Sequence, residues 1–185
     1  MSTPSGPDGV TLEDMTEADL PVVARLEASL FGAEAWSQDL LAAELAAASG
    51  GDRRYVVARG PLPVPGERED ARGAAGAESR ILGYAGMWVG DGAGDADLLT
   101  IATIPQARRR KVASRLLTEL MDTARRAGCR AVLLEVRASN AAAQSLYATH
   151  GFTRIGLRRR YYQAPQEDAV VMRALLRPAP APVGS

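Results

Sequence analysis

The chain has one cysteine and one histidine in 185 residues. A lone cysteine excludes an intramolecular disulfide framework and any cysteine-rich zinc site. With a single imidazole besides, metal chemistry would rest almost wholly on carboxylates, so no metal is expected. A charge excess of either sign is lacking too: 22 Lys+Arg stand against 22 Asp+Glu. Generic binders of nucleic acid or of membrane surfaces need a basic excess, so no direct partner of either kind is expected. No apolar run approaches the roughly 20 residues that span a bilayer. The opening MSTPSGPDG lacks the basic start and apolar stretch of a signal peptide, which leaves the cytoplasm as the expected location. Aromatics are sparse at 5%, yet apolar residues reach 46%, a globular fraction that sets wholesale disorder aside. The length suits one domain with a real core and is short for two.

Proline crowds into three places. Residues 1–9 and 177–185 read as tails, and 60–79 (GPLPVPGEREDARGAAGAES), with three prolines, four glycines and no apolar period, reads as an extended surface loop. That loop interrupts one domain over 10–176, because the segment before it makes too small a core alone.

Elsewhere apolar periods alternate. Leu20, Val23, Leu26 and Leu30 recur at helical spacing, and Trp36, Leu40, Leu41 and Leu45 do so again around Ser37, a fitting N-cap. Residues 54–59 and 81–89 predict strands, 91–97 a turn, and 98–104 (LLTIATI) a strand closed by Pro105. A long helix shows Val112, Leu116, Leu120 and Ala124 on one face and stops at Gly128. Residues 131–136 predict a strand, Asn140 caps a short helix ending before Gly151, and 152–162 and 169–175 close the sheet. This order predicts a mixed α/β layer fold, a sheet covered by helices.

Two segments carry chemistry. In 100–117 a strand runs through a turn into a helix whose start holds Arg108, Arg109, Arg110 and Lys111. A helix start already presents unpaired N–H groups and a positive dipole end, so cations there are ill placed unless an anion joins them. A phosphate-type ligand and a solvated arginine-rich turn both fit. In 134–152 the strand places Leu133, Glu135 and Arg137 on one face, and a carboxylate in so apolar a strand needs a partner or a purpose. Asn140 and Tyr147 lie two helical turns apart, on nearly one face. Taken singly, Tyr147 fits a core aromatic as well as a proton donor, and Glu135 fits a salt bridge as well as a base.

These two segments resemble the GNAT superfamily of acetyl-coenzyme A-dependent N-acetyltransferases. LEVRASNAAAQSLYATHGF, then GLRRRYY and EDAVVM, is similar to its ribosomal-protein-alanine branch, with the likeness dense from about 98 to 173. The resemblance implies a mixed, mostly antiparallel sheet flanked by helices in a single domain. It implies acetyl-CoA as cosubstrate, with Ile101, Ala102 and Thr103 offering backbone groups to pantetheine. Arg108, Arg109, Arg110, Lys111, Val112, Ala113 and Ser114 would wrap the pyrophosphate, and Asn140 would touch the cosubstrate. Glu135 matches the general base and Tyr147 the general acid. Tyr161 and Tyr162 would wall a peptide site, with Glu167 and Asp168 facing a cationic N-terminus; a solvated edge and a turn end fit these four as well. The implied acceptor is the N-terminal alanine of small-subunit ribosomal protein eighteen, acetylated by direct transfer in a ternary complex. A protein lysine or a small amine as acceptor, or a coenzyme A-binding regulatory module without catalysis, are the alternatives.

One position departs from the family pattern. Its loop runs Arg/Gln-x-x-Gly-x-Gly/Ala, and Lys111 stands at the first glycine. Lysine keeps the backbone N–H and adds a cation, while its Cβ crowds the approach. Cys129, a competing nucleophile, opens an apolar strand and reads as a buried structural thiol. His150 reads as a cation at a helix C-terminus.

Overall fold

A computed structural model describes residues 9–62 and 80–176. The two expected tails and most of the 60–79 loop lie outside the described residues. The strands are β1 (Thr11–Asp14), β2 (Arg53–Gly60), β3 (Arg80–Trp88), β4 (Ala96–Thr103), β5 (Ala131–Arg137), β6 (Thr153–Gln163) and β7 (Gln166–Leu175). The helices are α1 (Leu20–Phe31), α2 (Gln38–Ala47), α3 (Val112–Ala127) and α4 (Ala141–Thr149). All seven strands join one sheet in the order β1-β2-β3-β4-β5-β7-β6. The pairs β1–β2, β5–β7 and β6–β7 are antiparallel, and β4–β5 is parallel, through Ala96↔Val132 and Asp97↔Leu133. The mixed, mostly antiparallel α/β sheet with flanking helices is the fold class that the sequence predicts. Two compact units are distinguished within it: residues 9–62, 80–86 and 100–117, and residues 87–99 and 118–176.

In the first unit Tyr55, Val56, Val57 and Ala58 are all buried, as a strand covered on both faces requires. The hydroxyl of Ser37 accepts the Leu40 N–H at 3.1 Å, so α2 begins at the expected cap. Both helices form where the apolar spacing predicts them, but their buried faces are narrower than that spacing. Leu40 is 44% exposed while Leu41 is buried, so the apolar spacing around Trp36 overstates the buried face of α2. On α1 the fully buried positions are Leu20, Val23 and Glu27, whereas Leu26 and Leu30 are half-buried. Strand β1 was not foreseen at all; four residues with two acids give no alternation to read.

In the second unit α3 buries Leu120, Met121 and Ala124 and ends where Gly128 takes φ +94°. The Gly128 N–H returns to Arg125 O at 3.1 Å and the Cys129 N–H to Ala124 O at 3.0 Å, closing the helix with left-handed backbone that glycine adopts freely. Strand β5 pairs with β7 along its whole length, from Ala131↔Leu175 to Arg137↔Ala169. That ladder fixes Glu135 opposite Val171. Strand β6 is exposed almost throughout and carries four arginines, the charged edge that discourages pairing with another chain.

Candidate active site

The first unit carries the strand–turn–helix segment. Ile104 N–H donates to Leu82 O at 2.9 Å, and Gly83 lets β4 lie close, since a Cβ there would stand 2.6 Å from Ala102 O and 3.1 Å from Val112 Cγ1. Ile101 is half-buried, Ala102 is buried, and the Thr103 hydroxyl oxygen is buried with no hydrogen-bond partner among the described residues. A short turn, Pro105–Ala107, leads to Arg108 at φ −60° and ψ 152°. Arg109 then takes φ +65° and Lys111 φ +57°, both left-handed, with Arg110 between them at negative φ. Alternation of this kind turns successive N–H groups toward one concave side, the backbone nest that receives anions.

Lys111 O accepts the Arg115 N–H at 2.9 Å, which makes Lys111 the residue before the first helical turn. Val112, Ala113 and Ser114 follow as that first turn, whose N–H groups have no acceptor inside the helix. The position that the family pattern gives to glycine is therefore left-handed here, and lysine holds it at a cost of roughly 1–2 kcal/mol. Of the four cations, Arg110 is engaged, its Nη1 donating to Pro61 O at 2.9 Å. Arg108, Arg109 and Lys111 are exposed and make no ion pair among the described residues. An orphaned buried hydroxyl, a nest of N–H groups and three bare cations along one strand–loop–helix fit a long ligand with a pyrophosphate.

The second unit carries the titratable residues. Glu135 leaves the apolar face of β5, as the alternation predicts, with its side chain 25% exposed and Oε1 3.2 Å from Arg158 Nη2. The Arg158 guanidinium also lies over the Tyr161 ring at 5.5 Å, and Tyr161 meets Tyr162 edge-on at 5.1 Å. Asn140 caps α4: its Oδ1 accepts from Ala143 N–H at 3.1 Å, which leaves the amide NH₂ of an exposed side chain as the remaining donor. Tyr147 is 5% exposed on α4 and packs on Phe152 with ring centroids 5.7 Å apart. Burial first, and Tyr162 second, push its hydroxyl well above the ordinary tyrosine value, so it stays protonated at neutral pH.

Glu167 and Asp168, expected to face an ammonium group, are engaged by the chain itself. Glu167 accepts the Ser139 N–H at 2.6 Å and pairs with Arg137 at 3.0 Å, and these bonds hold its carboxyl below the usual range. Asp168 Oδ1 accepts the Arg160 N–H at 2.8 Å, serving a residue at φ +51°. Arg137 completes a clamp: it lies 4.3 Å over the Tyr162 ring and donates to Ala164 O and Pro165 O. Gln144 Nε2 adds bonds to Arg137 O and Ala138 O. Arg137 and Gln144 are not recognisable from sequence as clamp residues, because most of their acceptors are backbone carbonyls that no spacing reveals.

Cys129 is buried, its thiol 3.5 Å from Val89 O, and burial raises its pKa, so little thiolate forms. His150 Nδ1 lies 2.9 Å from Leu146 O at the end of α4, a structural placement.

The first unit thus holds a left-handed loop with exposed cations, and the second a carboxylate on β5 and a tyrosine held protonated. The chain belongs to the acetyltransferase (GNAT) family, which it matches over residues 38–152, and it is an N-acetyltransferase by that membership and by its relatives. It is 36% identical to the N-alpha-acetyltransferase RimI of Mycobacterium tuberculosis, over 89% of this chain and 91% of that one. It is 44% identical to the ribosomal protein bS18-alanine N-acetyltransferase of Salmonella typhimurium over 42% of this chain and 54% of that one. The crystal structure of the ribosomal-protein-S18-alanine N-acetyltransferase from Escherichia coli superposes with a TM-score of 0.70 at 26% identity, covering 95% of this chain and 99% of that one.

Proposed function

We propose that this chain transfers the acetyl group of acetyl-CoA to the α-amine of a protein N-terminus, the N-terminal alanine of ribosomal protein S18 foremost. The loop at 108–113 supports the donor half of this reading, since left-handed backbone at Arg109 and Lys111 stands with side chains of Arg108, Arg109 and Lys111 that make no ion pair among the described residues, an arrangement suited to a polyanion. Ile101, Ala102 and Thr103 line the pantetheine arm, Arg108 to Ser114 take the pyrophosphate, and the Asn140 NH₂ adds a polar contact. Likeness to a protein named as an N-alpha-acetyltransferase over nearly its whole length supports the acceptor half.

The chemistry is direct transfer in a ternary complex. An α-amine has a pKa of about 7.7–8.0 and a lysine about 10.4. Deprotonating the first near neutrality costs little, whereas the second costs more than about 4 kcal/mol, so one carboxylate suffices for an N-terminus. Glu135 accepts the ammonium proton, directly or through a water, and the freed amine attacks the thioester carbonyl. A backbone N–H near the end of β4 stabilises the oxyanion. As the C–N bond forms and the C–S bond breaks, Tyr147 gives its proton to the departing sulfur. Tyr161 and Tyr162 wall the acceptor, and Glu167 and Asp168 serve it by fixing the hairpin that carries those rings. The neutral Cys129 thiol argues against a two-step route through an acetylated cysteine.

Incubation with acetyl-CoA and a peptide panel tests this. Fast acetylation of an Ala-starting S18 peptide, lost when its amine is blocked, is the expected result. Transfer only to lysines or to small amines would move the acceptor, and coenzyme A binding with no transfer to any amine would leave a regulatory module.

A further inference from the structure

Glu27 is the most deeply buried acid among the described residues, 1% exposed on the core face of α1. Its two oxygens are divided. Oε2 accepts the Trp36 N–H at 3.2 Å, in the turn between α1 and α2, and Oε1 accepts the Thr100 hydroxyl at 3.2 Å, on β4 one residue before Ile101. Tyr84 on β3 stands beside it, fully buried; burial and the facing Glu27 hold that phenol neutral, and among the described residues its oxygen meets no partner in hydrogen-bond geometry. Burial raises the Glu27 carboxyl above its ordinary value, so an acid at this position is unfavourable unless its bonds serve a purpose. A helix core position alone would take leucine.

We propose that Glu27 is a positioning residue for acetyl transfer, tying the α1–α2 turn at Trp36 to β4 at Thr100. This rests on the reading of β4 as the strand that holds the thioester. Glu27 itself is too buried to touch either substrate. Its two bonds instead fix the strand segment from Thr100 onward, where the carbonyl to be attacked would lie, relative to a turn whose flanks expose Phe31 and Leu40. The pyrophosphate loop depends on none of these bonds, so cosubstrate affinity and transfer efficiency separate.

Steady-state kinetics with an Ala-starting peptide, together with calorimetric titration of coenzyme A, decides the matter. Glu27→Ala lowers kcat/KM for the peptide on the order of 10- to 100-fold, the scale on which small misplacements act, and lowers coenzyme A affinity far less, since the pyrophosphate loop keeps its own contacts. Glu27→Gln restores most of the activity, because its amide oxygen accepts from Trp36 while its NH₂ donates to a reversed Thr100 hydroxyl. Thr100→Val, which cuts one bond without touching the core acid, shows the same split at smaller size and decides alone if Glu27→Ala does not fold. The glutamine variant keeps the wild-type pH profile. Wild-type peptide kinetics in Glu27→Ala, a parallel loss of coenzyme A binding, or a shifted pH profile in Glu27→Gln would each overturn the positioning role. A wild type that acetylates no amine would instead refute the underlying reading, and the inference with it.

Discussion

The loop at 108–111 and the clamp around Arg137 treat charge in opposite ways. In the loop, Arg108, Arg109 and Lys111 make no ion pair among the described residues, and two non-glycine residues accept left-handed backbone. In the clamp nearly every polar group is answered: Glu167 by Arg137 and Ser139, Asp168 by Arg160, Asn140 by Ala143. Under the proposed function, the difference separates a segment left incomplete for an anion from one finished in advance to hold Tyr161 and Tyr162. Glu135 is intermediate, since its partner Arg158 is 57% exposed, and exposed pairs contribute about 0–1 kcal/mol. Under the proposed function, an arriving ammonium would displace that partner at little cost.

The largest effects are expected where chemistry leaves no substitute. Glu135→Gln should lower kcat by about 10²–10⁴-fold, the range for loss of a general base, and the remaining rate should rise with pH as the amine deprotonates unaided. Tyr147→Phe removes the proton donor while keeping the ring on Phe152, so its loss should appear in kcat with coenzyme A affinity retained. Near-wild-type kcat in both variants would remove the assigned roles. Arg158→Ala, by contrast, should leave kcat close to wild type, because it deletes only the displaceable partner.

What the sequence made legible follows from how local each signal is. Ser37 and Asn140 cap the helices they were expected to cap, because a cap is a contact three residues long. Gly128 stops α3 for the same reason. Strand β1 escaped notice because its existence depends on a partner, β2, more than 40 residues away. Glu27 escaped too, although an acid four residues after Val23 on an apolar helix face was a usable sign. Its meaning lies at Thr100, 73 positions on, and no local period carries that. Lys111 was visible as a departure from the family loop, but only the φ of +57° shows that the departure bears on backbone strain.

That strain gives a smaller prediction that sharpens the contrast between loop and clamp. Lys111→Gly relieves the left-handed penalty, partly offset by the entropy glycine gains when unfolded, for a net gain of about 0.5–1 kcal/mol. The melting midpoint should rise by about 1–4 °C for a chain of this size. Coenzyme A affinity should fall by up to about fivefold, the worth of one exposed charge pair, and the deficit should shrink at high salt. Lys111→Ala loses the cation and keeps the strain, so it should weaken binding equally without the thermal gain.

The smallest effect is expected in the clamp and depends on pH. The Glu167 carboxyl is held below its ordinary value, first by the Ser139 bonds and then by Arg137. A depressed acid contributes stability that is present above its unfolded pKa, about 4.3, and is lost as pH falls through the lower folded value. Glu167→Gln should therefore melt earlier than wild type at neutral pH, and the two curves should converge under acid conditions. The loop has no such carboxylate, so Lys111→Gly should keep its thermal gain across that same acid range. Melting curves of both variants from neutral to acid pH check this; a Glu167→Gln deficit that persists in acid would mean that shape, not charge, holds the clamp.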